Sequence, residues 1–384
     1  MDITIPLDDE KRLREHLKAR ADAEARRMER YLDMPDLSRT PGSPLYEISE
    51  RVKRADAFKD FDIITIPEIV PTDISFDLFD FPPEHPARSK SDTYYVDEKN
   101  ILRTHDTVFW YYYLNDPKIK ERIAKGDAMG ALCYGKVYRK DEVDSRHMNV
   151  FHQFGGWYIA PVSQPIVPED LHKALGDIVH AIFGPQMKFR INPDNFPYTD
   201  PSFEVELYVK GTAAEGPAKG DWLELLGSGM PKASVLKKMG VEGYHGWAFG
   251  FGIERPAIAS MALPDIRLLW STDERIKKQL VLGQTYKDVS KFPPSIRDIS
   301  FVVPKSFVPN DYFDTVRDIA GDLVEEVLLI DKYENDEKFG VDKMSYAYRI
   351  NYRSIEKTLT NEVVEAIHKQ VEAATTKEFG ATIR

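Results

Sequence analysis

Hydrophobic and polar residues follow patterns that divide the chain into predicted strands and helices. Residues 9–33 are rich in charged residues and alanine, which predicts an exposed helix that forms an N-terminal arm. From residue 61 the apolar, β-branched run FDIITIPEIV predicts a strand. The runs ALCYGKVYRKDE and MNVFHQFGGWYIA predict a long antiparallel hairpin with a polar tip of roughly ten residues.

The middle of the chain continues this mixture of elements. Residues 168–184 have the spacing of an amphipathic helix that ends at a glycine. The runs SFEVELYVK, DWLELLG and HGWAFGFGIE predict strands. A helix is expected at RPAIASMAL, where Pro256 fits the first turn because its missing N–H costs nothing there. An α+β fold is therefore expected.

The C-terminal part reads as a separate unit that starts near residue 284. Its predicted order is strand 297–303, helix 310–321, strand 324–334, strand 344–353, helix 360–379 and strand 381–384. This β-α-β-β-α-β order is ferredoxin-like. Alternation in SYAYRINYR puts Arg349 and Arg353 on the face opposite to Tyr346, Tyr348 and Ile350.

Composition limits the classes of function. The chain has 384 residues, 42% hydrophobic and 30% charged, which is ordinary for a soluble protein of two to three domains. A net charge of −11 argues against nucleic-acid binding by bulk charge, so RNA contacts would need a local basic patch. The single cysteine, Cys133, excludes an internal disulfide framework and a Cys-based zinc site. No apolar run is as long as a membrane span.

Candidate chemistry begins at GFGIERP, residues 250–256. The run is not a dinucleotide-binding fingerprint, because Arg255 stands where a third glycine is needed. The predicted hairpin carries Arg139 at the end of its first strand and Phe151 and Gln153 on one face of the second. A guanidinium is suited to clamp phosphate, and an arginine with an aromatic ring can hold a purine. Solvated surface charges are the alternative for the hairpin taken alone.

Several long motifs in a fixed order resemble a known family. GKVYRKDEVDSRHMNVFHQ is similar to motif 2 of class II aminoacyl-tRNA synthetases, and GWAFGFGIERPAI is similar to motif 3. FPYTDPSFEVEL, FPPEHPARSKSDTYYV and LRTH resemble segments of phenylalanyl-tRNA synthetases. KFPPSIRDISFVV through YRINYRSIEKTLT resembles their ferredoxin-fold anticodon-binding domain. The resemblance runs from about residue 61 to the C-terminus and is to the monomeric, organellar type.

The resemblance implies an antiparallel-sheet catalytic domain (58–283) after an N-terminal helical arm (1–57) and before an anticodon-binding domain (284–384). It implies activation of phenylalanine with ATP as substrate and Mg²⁺ as cofactor, transfer to tRNA(Phe), and no membrane partner. The implied catalytic arginines are Arg139, at the α-phosphate, and Arg255, at the γ-phosphate. The other implied ATP contacts are Arg146, His147, Met148, Phe151 and Glu224, with Glu224 also placing the metal. From spacing alone, pairing of Glu224 with a nearby arginine is equally compatible.

The resemblance also assigns an amino-acid pocket and an RNA face. The implied pocket residues are His105, Thr107, Trp110, Gln153, Gly155, Phe196, Tyr198, Ala248 and Phe249. Phe196 and Tyr198 would face the phenyl group, Ala248 would form the floor, and Phe249 would lie beside it. Arg349 and Arg353 would contact tRNA.

Three departures from the family pattern affect the pocket. The usual Gln-x-Glu is Gln153-Phe154-Gly155, so the carboxylate expected for the substrate ammonium is missing. The usual HTS…Q is His105-Asp106-Thr107…Trp110, and the second pocket phenylalanine is Tyr198. Either Glu204 or Glu206 replaces the missing acid, or no acid does and ammonium recognition is weak; we favour weak recognition.

These departures leave alternatives to a phenylalanyl-tRNA synthetase. One is a paralogue that activates another amino acid or acid; the other is a non-catalytic RNA-binding relative, which the two motif arginines disfavour. The acidic N-terminus favours a cytoplasmic address, with an organelle such as the mitochondrion as the alternative.

Overall fold

A computed structural model describes residues 1–142, 144–209, 222–288 and 292–384. The chain forms two compact units. The first comprises Met1–Arg139, Val150–Pro264 and Leu280–Tyr286, and the second comprises Lys140–Asn149, Asp265–Gln279 and Lys287–Arg384. The predicted strand ends at Lys210 and Asp221 lie outside the described residues.

The first unit is built on one large, mostly antiparallel sheet. The strands among its described residues are β1 Asp2–Thr4, β2 Asp62–Thr65, β3 Ile69–Pro71, β4 Asn100–Leu102, β5 Met129–Tyr138, β6 Val150–Pro161, β7 Phe189–Asp194, β8 Thr199–Tyr208, β9 Trp222–Pro231 and β10 Tyr244–Gly252. Eight of them form the sheet in the order β1-β2-β5-β6-β10-β9-β8-β7, and β3 pairs with β4. Only the β1–β2 and β2–β5 ladders of these described strands are parallel.

Helices cover this sheet. They are α1 Asp8–Ala19, α2 Ala23–Asp33, α3 Pro44–Lys53, α4 Thr72–Ser75, α5 Phe109–Asn115, α6 Pro117–Lys125, α7 Pro168–Phe183, α8 Ala233–Lys238 and α9 Glu254–Met261. Strand β5 is buried at every position, as expected for an interior strand covered on both faces. The hairpin β5–β6 is the one predicted from the sequence, with ten paired positions from Met129 to Tyr138.

The N-terminal segment differs from the single exposed helix that the sequence predicts. Two helices form because Asp22 caps the second one, accepting a hydrogen bond from the Ala25 N–H at 2.8 Å. Ala25 and Met28 on α2 are fully buried. Nζ of the buried Lys136 donates to the carbonyl oxygen of Leu32 at 2.8 Å, near the end of α2, where helix carbonyls lack intrahelical partners. The segment is therefore packed into the first unit.

The second unit contains the predicted ferredoxin-like fold. Its elements are α10 Glu274–Lys277, β11 Ser295–Pro304, α11 Pro309–Ala320, β12 Val324–Tyr333, α12 Asp336–Phe339, β13 Lys343–Tyr352, α13 Asn361–Phe379 and β14 Thr382–Ile383. The sheet order β12-β13-β11-β14 is that of a ferredoxin fold, so the prediction is confirmed. Tyr348, Ile350 and Tyr352 are buried in its core, as alternation predicts.

The described residues of the hairpin tip, 140–142 and 144–149, pack on α11 within the second unit. Nζ of Lys140 lies 3.0 Å from the Asp311 carboxylate. The buried side chain of Asn149 donates to Asp314 at 3.0 Å. No helix among the described residues is long and apolar enough to cross a membrane.

Candidate active site

One face of the large sheet carries the candidate site. Phe151, Gln153 and Gly155 alternate along β6 and therefore share this face. Gly155 lies opposite Gly250 of β10, and Gly250 lies opposite Gly227 of β9. These three glycines form a row across adjacent strands, which we call the glycine row. Without Cβ atoms, they let other groups approach the sheet backbone closely.

Two side chains cover the ends of the glycine row. A Cβ atom added at Gly155 would overlap Oδ2 of Asp106 and would lie 2.9 Å from its Cγ. A Cβ atom at Gly227 would lie 2.7 Å from Cζ of Phe196. Above Gly250 the nearest atom is Oδ1 of Asp106, 3.7 Å from a Cβ atom at that position. The middle of the row is therefore open between a carboxylate and an aromatic ring.

Asp106 is held in a buried position without full hydrogen bonding. It lies in the loop between β4 and α5 and is 3% exposed. Its backbone N–H donates to Oε1 of Gln153 at 2.9 Å, which fixes the loop to β6. Oδ2 has no hydrogen-bond partner among the described residues. Burial raises the pKa of Asp106 to about 7, although Arg103 and Arg139 act in the opposite direction.

Arg139 and Phe151 lie together at the end of the β5–β6 pair where Tyr138 faces Val150. The guanidinium carbon of Arg139 lies 5.1 Å from the centre of the Phe151 ring. Its Nε donates to the Thr104 carbonyl oxygen at 3.0 Å. The structure therefore brings together two of the predicted ATP contacts, in an arrangement that can hold a phosphate beside a purine.

Arg255 and Glu224 also lie together. NH1 of Arg255 donates to the Glu224 carbonyl oxygen at 2.9 Å and lies 3.4 Å from its carboxylate. The ion pair is the alternative that spacing left open for Glu224. Both side chains are about half exposed, so a ligand can reach them. Among the described residues, no group of three or more His, Cys, Asp or Glu side chains is arranged to hold a metal ion.

The residue before Arg255 has a structural role. The buried Glu254 carboxylate accepts from the backbone N–H of His152 at 2.9 Å and lies 2.7 Å from its Nδ1. Nε2 of His152 accepts from the Leu37 N–H at 2.9 Å, so the ring proton is on Nδ1. Glu254 thereby joins the start of α9 to β6, which sets Arg255 relative to the hairpin.

The end of the face that is far from Arg139 is lined by aromatic rings. Trp110 stacks on Trp157 with ring centres 4.9 Å apart, and Ala248 lies opposite Trp157 on β10. The Tyr198 ring centre lies 5.9 Å from that of Trp110 and 6.2 Å from that of Phe196. Phe79 and Phe81 also pack against Tyr198. The structure thus brings the rings of Phe196, Tyr198 and Trp110 together, and it places Ala248 on the same sheet face as Trp157.

His105 and Thr107 lie beside Tyr198. The Thr107 side chain lies next to Tyr198. Nε2 of His105 donates to the Ser75 carbonyl oxygen at 3.0 Å, while Nδ1 is buried without a partner among the described residues. Burial, with Arg139 as a second cause, lowers the pKa of His105 to about 4. His105 is therefore neutral and offers Nδ1 as an acceptor.

Phe249 does not line this pocket, contrary to the sequence-based expectation. It alternates with Ala248 and Gly250 and so points to the opposite face of the sheet. There its ring centre lies 5.4 Å from that of Phe58, and it covers Gly156. Phe249 is a core residue.

Arg146, His147 and Met148 belong to the second unit. Asp144 orders the tip, since its carboxylate accepts from the backbone N–H groups of Arg146 at 2.6 Å and His147 at 2.7 Å. Nδ1 of His147 lies 2.7 Å from the same carboxylate. NH2 of Arg317 donates to the His147 carbonyl oxygen at 3.2 Å, so the tip is tied to α11.

The two predicted tRNA contacts are on the exposed face of the second unit's sheet, and both are paired with acids. Arg349 forms a two-bond pair with Asp298, both distances being 2.8 Å. Nε of Arg353 lies 3.0 Å from the Glu325 carboxylate. Each acid partly neutralises its arginine, so this face is less basic than the sequence suggested.

Comparisons with known proteins agree with the fold. Residues 31–280 match the family model of the class II tRNA synthetase core domain (F). Residues 290–384 match the ferredoxin-fold anticodon-binding domain. Enzymes of this class use ATP and divalent metal ions.

Relatives with known names narrow the family. The chain is 38% identical to the chloroplastic/mitochondrial phenylalanine–tRNA ligase of Arabidopsis thaliana, over 82% of this chain and 71% of the relative. It is 32% identical to the mitochondrial enzyme of Mus musculus (88% and 80%) and 30% identical to that of Saccharomyces cerevisiae (82% and 81%). The chain therefore belongs to the phenylalanine–tRNA ligase family of class II synthetases. These names support the organellar alternative and give no support to the cytoplasmic expectation.

Asp106 is the site residue that sequence reasoning missed. It was noted only as a departure from the HTS pattern. The available signal was a pair of changes: an acid is gained at 106 where another is lost at 155. Only the fold reveals that the two positions meet.

Proposed function

We propose that this protein activates phenylalanine with ATP and transfers it to tRNA(Phe). A carboxylate oxygen of phenylalanine attacks the α-phosphorus of ATP, the bond to the bridging oxygen breaks, and diphosphate leaves. A terminal hydroxyl of tRNA then attacks the carbonyl carbon of the phenylalanyl adenylate, and AMP leaves. The observation that supports this most is one sheet face with Arg139 and Phe151 at one end and an aromatic pocket at the other.

Catalysis in this proposal is positioning and charge stabilisation. Arg139 binds the α-phosphate and stabilises the charge that develops there, while Phe151 stacks on adenine. Arg255 binds the γ-phosphate of a bent ATP. On the tip, His147 and the backbone of Arg146 to Met148 contact ATP.

Among these residues, Glu224 is suited to bind a Mg²⁺ ion. Magnesium keeps several waters and binds through one or two carboxylates plus phosphates, so a single accessible carboxylate suffices. Glu224 offers one, 58% exposed and 3.4 Å from Arg255. When bound, the ion would neutralise phosphate charge.

The amino acid lies over the glycine row in this proposal. Phe196 and Tyr198 face its phenyl group, Trp110 and Ala248 bound the pocket, and His105, Thr107 and Gln153 orient its polar end. Gly155 provides room. Phe249 does not contact the substrate; its ring packs on the opposite face of the sheet and holds β10 in place.

For domains we propose an N-terminal helical segment (1–57), a catalytic domain (58–283) and an anticodon-binding domain (284–384). Arg349 and Arg353 contact tRNA. The protein acts as a monomer, and sedimentation equilibrium tests this state. It acts in an organelle, and localisation of the full gene product tests this address. The hairpin tip packs on α11 through Lys140 and Asn149, so the full chain is the form to assay.

Phenylalanine-dependent ATP–diphosphate exchange tests the activation step. Arg139→Ala and Arg255→Ala each remove a charge-assisted contact of roughly 1.5–3 kcal/mol or more. Each should lower exchange at least tenfold while leaving thermal unfolding unchanged. Arg54→Ala, at an exposed arginine of the α3 end, is the control and should exchange normally. Normal exchange in either site variant would refute its assigned role.

A different amino-acid substrate is the second candidate. It is favoured by Tyr198, which stands where the family pattern has a phenylalanine and whose ring packs against Phe79, Phe81, Trp110 and Phe196. Exchange with a panel of amino acids separates the two candidates.

A further inference from the structure

We propose that Asp106 replaces the missing strand carboxylate and binds the α-ammonium group of the amino-acid substrate above Gly250. This inference rests on the proposed function, since it names how that site recognises its substrate. It differs from both alternatives drawn from the sequence, because the acid comes from the loop before α5 and not from β8.

The geometry of the glycine row carries the assignment. The Asp106 carboxylate occupies the space that a side chain at position 155 would fill, so the charge is kept while its source changes. Oδ1 faces Gly250, where the sheet backbone is uncovered. Oδ2 is buried and has no partner among the described residues. A buried carboxylate oxygen without a donor is costly, and an ammonium group supplies both donors and charge.

The other candidate acids are too far away and are already engaged. Glu204 lies opposite Gly227 and is two strands from Gly250, about 10 Å at the usual strand spacing, and the Phe196 ring covers Gly227 between them. Its carboxylate accepts from Asn192 at 3.3 Å. Glu206 lies 2.6 Å from Nε of Arg190. Glu206 is therefore already paired with a cation, and the position of Glu204 on β8 keeps it away from Gly250.

Binding of phenylalanine and of 3-phenylpropanoate, which lacks the ammonium group, tests this role. Isothermal titration calorimetry with the full chain at pH 8 gives both dissociation constants. Asp106→Asn keeps the side-chain shape and should weaken phenylalanine binding about 10- to 150-fold, the equivalent of one charge-assisted contact. It should not weaken binding of 3-phenylpropanoate. The control Glu204→Gln should change neither. An unchanged ratio of the two constants in Asp106→Asn would overturn the proposal.

An exchange of the two positions gives an independent test. Gly155→Glu should bind phenylalanine worse than wild type, because the new side chain overlaps Asp106 and adds a like charge. Asp106→Thr with Gly155→Glu should recover discrimination against 3-phenylpropanoate. Tighter phenylalanine binding by Gly155→Glu alone would contradict the assignment.

A wild-type measurement does not depend on how the variants fold. At pH 6, phenylalanine binding should release a proton and 3-phenylpropanoate binding should not, as calorimetry in two buffers of different ionisation enthalpy reveals. Equal proton release by both ligands would refute the role of Asp106. If wild type exchanges diphosphate only with another amino acid, the proposed substrate fails. The same comparison with that amino acid and its des-amino analogue still tests Asp106.

Discussion

Phenylalanine binding should depend on pH through Asp106. Burial raises the pKa of this carboxyl group to about 7 in the empty site. The positive charge of a bound ammonium group favours the ionised carboxylate and so lowers the pKa in the complex. Affinity is therefore fully present above pH 7 and is lost as the pH falls below it, because a proton must then leave before the ligand binds.

The size of the effect follows from the raised pKa. At pH 5.5 about 3% of the carboxyl groups are ionised in the empty site, so the dissociation constant should rise about 30-fold relative to its value above pH 7. This corresponds to about 2 kcal/mol.

The neighbours of Asp106 in the described part of the chain do not titrate between pH 5.5 and pH 8. Those that interact with it electrostatically are Arg103, Arg139, Cys133 and Tyr198. Burial raises the pKa of Cys133 and of Tyr198 to about 12, and the arginines stay charged. His105, next in the chain, has a pKa of about 4 and stays neutral.

Titration calorimetry of phenylalanine from pH 5.5 to pH 8, without ATP, measures the profile. Asp106→Asn should flatten it, and 3-phenylpropanoate should not show it. A flat wild-type profile, or the same slope in Asp106→Asn, would refute the reasoning.

Three further predictions concern stability and RNA binding. Asp106→Asn should stabilise the protein at pH 8 by up to the order of 4 kcal/mol but not at pH 4, in chemical denaturation, because the raised pKa makes wild type lose stability as the pH rises from about 4 to 7. Phe249→Ala should lower the unfolding free energy by about 3–5 kcal/mol without changing the ratio of phenylalanine to 3-phenylpropanoate affinity, since its ring packs on the far face. Asp298→Asn should tighten tRNA binding in a filter assay and Arg349→Glu should weaken it and flatten its salt dependence; equal affinities in both variants would exclude this face.

Local patterns predicted much of the fold. The ferredoxin-like unit and the β5–β6 hairpin could be predicted because their signals lie within single helices and strands. Examples are the alternation in residues 344–353 and the proline and glycine residues at the ends of α7 and α9. Asp22 is also a typical helix-capping residue, so the start of a second helix could have been predicted there. The uniformly charged composition of residues 9–33 instead suggested one continuous helix.

The site itself depends on contacts between distant segments. The glycine row requires the register of β6, β10 and β9, which periodicity does not give. Asp106 meets Gly155 only because a loop 49 positions earlier in the chain folds over β6. Phe249 was misplaced for the same reason. The pairing of β10 with β6 and β9 decides which of its side chains lie on the site face, and the sequence of β10 alone does not give this pairing.

Amino-acid-dependent ATP–diphosphate exchange with the full wild-type chain tests the central claim most directly. The account predicts that phenylalanine supports exchange above all other amino acids and that 3-phenylpropanoate supports little. Exchange with a different amino acid and not with phenylalanine, or no exchange with any amino acid, would contradict it.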